Sequence, residues 1–341
     1  VHAAGLLVCN EDIMNYAVVD AQGIAHLEKG AAEKLGLLKI DVLGLRTLGV
    51  LEDSGVDIDW YNLPLDDPDA LAIFNSGRYC GIFQFEGAAM ASLSSLIKFK
   101  SIVEIGAATA LARPGPLIGG VAYAYIDRMN GKPYEPIHPL VESHMVETYG
   151  LPVYQEQTLA IVREIGQFNW EETTSIRKAM SKSLGREYFD QFWPKFHEGA
   201  RAQGIDTPSA RKTWELINTM GSWQMNKAHT YSYAVISYWC AYLKAHHPLE
   251  FAAANLRSAK DEDSAVLLLR EIAKEGIEFV AFDPALSELN WSVKGGKLIG
   301  GFTALKGIGE SKAAKLIALR EKTGALPAEK VAMVRDLTLA G

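Results

Sequence analysis

Cysteine is scarce in this sequence. Cys9, Cys80 and Cys240 stand far apart among 341 residues and form no CxxC pair. That argues against disulfides and structural zinc, and it fits the cytoplasm. Long apolar runs are missing, so neither a membrane span nor a signal peptide is expected. A positive charge excess is also missing, the net charge being -7. Net charge governs long-range steering, not the character of one groove. Any nucleic-acid contact must therefore come from local basic clusters. An initiating methionine is absent too. The chain opens at Val1 with Val1–Cys9 reading as a strand, so it is expected to begin inside a domain. What remains is ordinary globular composition, 48% hydrophobic and 22% charged, with length for two or three domains.

The stretch Leu37–Leu45 reads at period two as a strand. Leu38, Ile40 and Val42 fall on one face, expected to be buried. Lys39 and Asp41 share the other face. A charged pair on an apolar strand is costly to bury without a counter-ion or metal. A surface salt bridge explains the pair. So does a carboxylate offered to a metal, with a lysine beside it for a phosphate. Asp57 and Asp59 also stand at i, i+2, but they precede Trp60 in a loop between helices and read as solvated acids.

Asp66-Asp67-Pro68 reads as a helix start, continued by Ala70–Ser76 and stopped by Gly77. Arg113-Pro114-Gly115-Pro116 reads as a rigid turn that holds Arg113 on a stiff corner. Tyr154-Gln155-Glu156-Gln157 opens a helix to about Ile165. A further helix covers Trp170 through Ser183 and places Lys178 and Lys182 at i, i+4, with Arg177 and Arg186 adding to the cluster. Like charges at that spacing repel by roughly 0.2–0.5 kcal/mol. A solvated face and a phosphate site explain the cluster equally well. Asn226, Lys227 and His229 gather donors at the start of a helix that runs to about His246 and stops before Pro248. A helix amino end with lysine and histidine beside it favours an anion. Tyr231, Tyr233, Tyr238, Trp239 and Tyr242 on that helix read mostly as core.

An amphipathic helix is expected over Ser264–Glu275, with short strands near Ile277–Val280 and Lys297–Gly301. Leu305-Lys306-Gly307-Ile308-Gly309 followed by Ala313 has the form of a helix-hairpin-helix. Its glycines let backbone N–H groups approach a phosphate, with Lys306, Lys312 and Lys315 flanking. A plain glycine turn between helices is the alternative. The tail from Leu326 says little.

Taken in order, these motifs resemble the C-family replicative DNA polymerases, the alpha subunits of bacterial DNA polymerase III. The resemblance runs from about residue 1 to about residue 320. It rests on His2-Ala3-Ala4-Gly5, the strand carrying Asp41, Gly81-Ile82-Phe83-Gln84-Phe85-Glu86-Gly87, the RPGP and YQEQ segments, Asn226-Lys227-Ala228-His229 and the glycine hairpin. Met225 and Ala228 depart from the family pattern, which has an aromatic and a serine there. The spellings at residues 81–87 and 111–117 look closer to bacteriophage versions.

The resemblance implies a mainly α fold with a small α/β part. Residues 1–48 would end a nucleotidyltransferase-type palm, 49–260 would form a large helical fingers domain, 261–300 a connecting α/β region, and 301–341 a helix-hairpin-helix module. It implies template-directed addition of deoxynucleotides to a primer 3′ end by two-metal chemistry with Mg²⁺. Asp41 would be a catalytic metal ligand and Lys39 would lie near the triphosphate. Arg113, Gln155, Arg177, Lys178, Lys182, Asn226, Lys227, His229 and Tyr233 would bind nucleotide. Lys306, Gly307, Gly309, Lys312 and Lys315 would bind DNA. Implied partners are primer-template DNA, deoxynucleoside triphosphates, a sliding clamp and a separate chain carrying the rest of the palm, with no membrane. The family's first two palm aspartates lie upstream of the HAAG turn, so this chain alone is expected to be inactive. A non-catalytic DNA-binding module and a scaffold for replication partners are the rival readings.

Overall fold

The computed structural model describes residues 4–181 and 184–339, and the chain divides into two compact units, 1–49 and 50–341. His2 and Lys182 lie outside the described residues. The fold is mainly helical with small sheets. Among the described residues no helix is long and apolar enough to cross a membrane.

In the first unit β1 (Gly5–Val8) and β2 (Leu38–Asp41) pair antiparallel, Leu6 opposite Ile40 and Leu7 opposite Lys39. Strand alternation puts Leu6, Val8, Leu38 and Ile40 on one face. The sequence reading buries that apolar set. The structure exposes it: Leu38 is 59% and Ile40 42% exposed, and Val42 beyond the strand 58%. The chain between the strands, with α1 (Lys29–Lys34), gathers on the Leu7 and Lys39 side instead. A period of two tells which residues share a face, not which face is covered.

Helix α2 (Arg46–Asp53) leads into the second unit. There α3 (Pro68–Ser76) begins where expected: the Asp67 carboxylate accepts the Ala70 N–H at 2.8 Å, Pro68 occupies the first turn, and Gly77 ends the helix at φ 75°. Such a cap contributes about 1 kcal/mol. Then come α4 (Ala88–Ser94), α5 (Ile102–Leu111), α6 (Pro114–Ile118), α7 (Val121–Met129) and α8 (Pro139–Glu142). The RPGP segment is not a turn. Pro114 starts α6, where its missing N–H costs nothing, and Arg113 takes the cap position.

Helix α9 (Gln155–Ala160) widens into a π-helical stretch, Ile161–Ile165. After it run α10 (Trp170–Ser181), α11 (Arg186–Asp190), α12 (Trp193–Ala202), α13 (Thr207–Met220), α14 (Lys227–His246) and α15 (Pro248–Arg257). Asp57 and Asp59 sit exposed in a loop, as read from sequence. Two cores organise these helices. One packs α3 and α5 on the long α14, around Phe74, Phe85, Tyr125 and Tyr238. The other encloses Phe196, Trp214, Ile176 and Met180.

Helix α16 (Glu262–Lys274) precedes a three-stranded sheet of β3 (Phe279–Val280), β4 (Ser292–Lys294) and β5 (Lys297–Ile299). Central β5 is parallel to β3 and antiparallel to β4, and Gly295-Gly296 turn the hairpin with φ of 56° and 72°. β4 went unread in the sequence. Helices α17 (Glu310–Thr323) and α18 (Ala328–Leu339) close the chain. One expectation changes here. What precedes Gly307 is a three-residue 3-10 turn, Phe302–Ala304, and not an α-helical arm. The tail after Leu326 is a helix, whose Val334 joins Phe302, Leu305, Ile308, Ala313 and Leu326 in a small core.

Candidate functional site

Asn226 caps α14. Its side-chain oxygen accepts the His229 N–H at 2.8 Å, and its amide donates to Glu156 Oε1 at 2.6 Å. Glu156 Oε2 accepts the Lys227 N–H at 2.8 Å. A carboxylate thus occupies the helix end that would otherwise attract an anion. The Lys227 ammonium donates to Glu147 at 2.6 Å and lies 5.8 Å and 5.4 Å from the ring centres of Tyr154 and Tyr231. Burial first, then the Glu147 charge, pushes the Tyr231 hydroxyl up to about 12. Burial raises the Tyr154 hydroxyl further.

His229 is exposed and packs 4.3 Å from Tyr233, centre to centre, and Tyr233 lies 5.3 Å from Phe83. Gln155 joins this group through its backbone, donating to the Met225 carbonyl at 2.9 Å. Arg113 approaches from the junction between α5 and α6. Its Nε donates to the Ala110 carbonyl at 2.8 Å and its Nη2 to the Trp223 carbonyl. Burial lowers its pKa. Two guanidinium nitrogens are therefore spent on tying α5 to the segment before α14. The Trp223 ring closes the joint from outside. A Cβ added at Gly119 would lie 2.2 Å from it, so only glycine fits there.

The cations of α10 stand differently. Ile176, Ala179 and Met180 bury one side of the helix, while Arg177 and Lys178 are exposed. Neither makes a hydrogen bond or ion pair with a described residue. The helix packs on α9, whose first turn carries Gln155 and Glu156. Lys306, Lys312 and Lys315 are likewise exposed without ion pairs among the described residues. Gly307 has φ 81°, and Gly309 caps α17 with no side chain. A Cβ at Gly309 would meet nothing within 4 Å, which leaves the backbone there open to approach.

In the first unit Lys39 and Asp41 form an ion pair, their side chains 21% and 46% exposed. Lys39 also lines a cavity of about 870 Å³ with Leu7, Asp20, Ile24 and His26.

The structure thus gathers Asn226, Lys227, His229, Tyr233, Gln155 and Arg113 around the start of α14. It sets Arg177 and Lys178 on a separate helix. Sequence reasoning gave no role to Glu147, Glu156 or Tyr154. Glu156 lies inside the YQEQ segment, next to a residue singled out, and its acidity opposite a helix amino end was a usable signal. Glu147 lies 80 positions from Lys227, and no local pattern points to it.

Residues 46–204 match the model of the bacterial DNA polymerase III alpha subunit finger domain. Over 94% of its length the chain is 36% identical to DNA polymerase III subunit alpha of Aquifex aeolicus, and over 95% it is 32% identical to the subunit of that name from Thermus aquaticus. It covers 29% and 28% of those two proteins. A helical polymerase finger is the class that fold and match define. The chain belongs to the bacterial DNA polymerase III alpha-subunit family.

Proposed function

We propose that this chain is the nucleotide-selecting part of a replicative DNA polymerase, acting in the cytoplasm on primer-template DNA and deoxynucleoside triphosphates. One observation carries the reading. Arg177 and Lys178 project from a matched finger helix with no counter-ion among the described residues. Exposed cations without partners are free to take a triphosphate, whereas Lys227 and Arg113 are already engaged. Lys227 would meet phosphate only by exchanging Glu147 for it. The exposed His229 ring, packed against half-buried Tyr233, offers a contact beside it for base or sugar.

Asp41 fits Mg²⁺ as one hard oxygen donor, since this ion commonly takes one or two carboxylates plus substrate phosphates. Bound there, the metal would supply activation of the primer 3′ hydroxyl and charge neutralisation at the leaving pyrophosphate. Lys39 pairs with Asp41 and lines the neighbouring cavity, where it would meet a phosphate. We propose the Gly307–Gly309 segment with its lysines as a sequence-independent clamp on duplex backbone. Residues 261–300 are the connector, and the exposed face of Leu6, Val8, Leu38 and Ile40 takes further palm structure.

The test is equilibrium binding of a deoxynucleoside triphosphate and of a primer-template duplex to the same preparation. Magnesium-dependent nucleotide binding supports the enzyme. Duplex binding without it supports a non-catalytic DNA-binding module, and failure to bind either supports a scaffold.

A further inference from the structure

The side chain of Trp170 has no part in the site described above. It stands at the first position of α10 and is 67% exposed. The Arg163 guanidinium lies 4.0 Å from its ring centre. A ring that stays two-thirds exposed with a cation on one face has its other face bare. Seven residues along α10 stands Arg177, rotated only about 20° from Trp170.

The support beneath Trp170 is stiff. Asn169 and Glu172 exchange backbone–side-chain hydrogen bonds at 2.9 Å, which closes the first turn of α10. Lys195 holds the Glu172 carboxylate at 2.6 Å. Before the helix, Gln167 adopts φ 54°, a left-handed conformation uncommon for a residue with a side chain. Arg163 itself comes from the π-helical stretch, a feature that tends to mark functional positions.

Charge decides what such a surface takes. The nearby acids are Glu164, Glu171 and Glu172. Glu172 is held by Lys195, Glu164 faces His144 at 3.6 Å, and Glu171 points about 100° away from Trp170 around the helix. Arg163 and Arg177 remain on the Trp170 side. An open aromatic face backed by one guanidinium, with a second cation on the same side of the helix, matches an unpaired nucleic-acid base.

We propose that Trp170, backed by Arg163, is a stacking platform for an unpaired base of single-stranded DNA. This rests on the nucleic-acid reading above. A duplex presents no free base face, so the platform distinguishes single strands from duplex.

The test measures binding of a fluorescent oligo(dT) and of a blunt duplex to the full chain, beside W170A, W170F and R163A. Trp170 is exposed, so the variants are expected to keep the wild-type melting temperature. W170A should weaken oligo(dT) binding about tenfold, the scale of one lost base stack. W170F should retain most of the affinity and R163A should lose part of it, with duplex affinity unchanged in all three. Oligo(dT) affinity unchanged in W170A, while wild type binds both DNAs, overturns the platform and leaves the DNA reading standing. Loss of an acidic peptide in W170A with oligo(dT) binding intact reassigns the surface to a protein partner and overturns it too. Wild type that binds neither DNA overturns both.

Discussion

The ammonium of Lys227 sits 2.6 Å from the carboxylate of Glu147, beside the rings of Tyr154 and Tyr231. The pair leaves Lys227 about one-third exposed and fully compensated. A triphosphate reaching this lysine competes with an acid already in place.

That competition gives the first prediction. Glu147→Gln should raise triphosphate affinity several-fold, because the lysine no longer has to give up a carboxylate. Stability should fall by no more than about 1 kcal/mol, the usual worth of a solvent-accessible pair. Calorimetric nucleotide titration and a thermal melt check both. Weaker nucleotide binding would mean that Glu147 orients Lys227 for the phosphate.

The two glycines of the hairpin should behave oppositely. Gly307 has φ 81°, so Gly307→Ala should destabilise the fold by about 1–2 kcal/mol. A side chain at Gly309 meets open space, so Gly309→Val should lower the melting temperature only by the loss of a better helix cap. It should nevertheless weaken duplex binding by blocking close backbone approach. Binding should fall steeply with salt as counter-ions are released. Salt-independent binding, or full affinity in Gly309→Val, contradicts the assignment.

Thiol chemistry tests the packing of the first core. Burial pushes Cys80 up to about 11 and Cys240 up to about 12. Both should resist alkylation in the native state at pH 8, while Cys9 reacts. Their folded pKa values exceed those of the unfolded thiols. The stability they contribute is therefore complete below about pH 8.5 and is lost as pH rises towards 11–12. A urea-melt series from pH 8 to pH 10.5 should show declining stability, and Cys240→Ala should flatten the decline.

Much of this was legible in the sequence because its causes are local. Asp67, Pro68 and Gly77 bound α3 by capping chemistry, and Asn226 and Pro248 bound α14 the same way. Lys178 could be placed on an exposed helical face from spacing alone. Failures came where the deciding contact is distant or the motif ambiguous. A proline pair around a glycine suits both a turn and a helix start, and burial against Trp223 settles it for α6. The apolar face of β2 was correctly grouped and wrongly buried, because the covering chain comes from residues between the strands. Glu147 was invisible for the same reason.

Asp41 carries the metal prediction. When the chain is assembled with the remainder of a family alpha subunit, Asp41→Asn should reduce primer extension by about a hundredfold or more, since a bound metal contributes several kcal/mol to such a step. Higher Mg²⁺ should restore part of the rate. An unchanged extension rate would leave Asp41 as no more than the partner of Lys39 in a surface ion pair.

The most direct measurement is the affinity of the 341-residue chain for a deoxynucleoside triphosphate and for a primer-template duplex, before and after Arg177→Ala and Lys178→Ala together. The account predicts nucleotide affinity at least about tenfold lower, two charge-assisted contacts being lost, with duplex affinity nearly intact. Loss of duplex affinity with nucleotide binding unchanged would contradict it and make α10 a DNA-backbone contact instead.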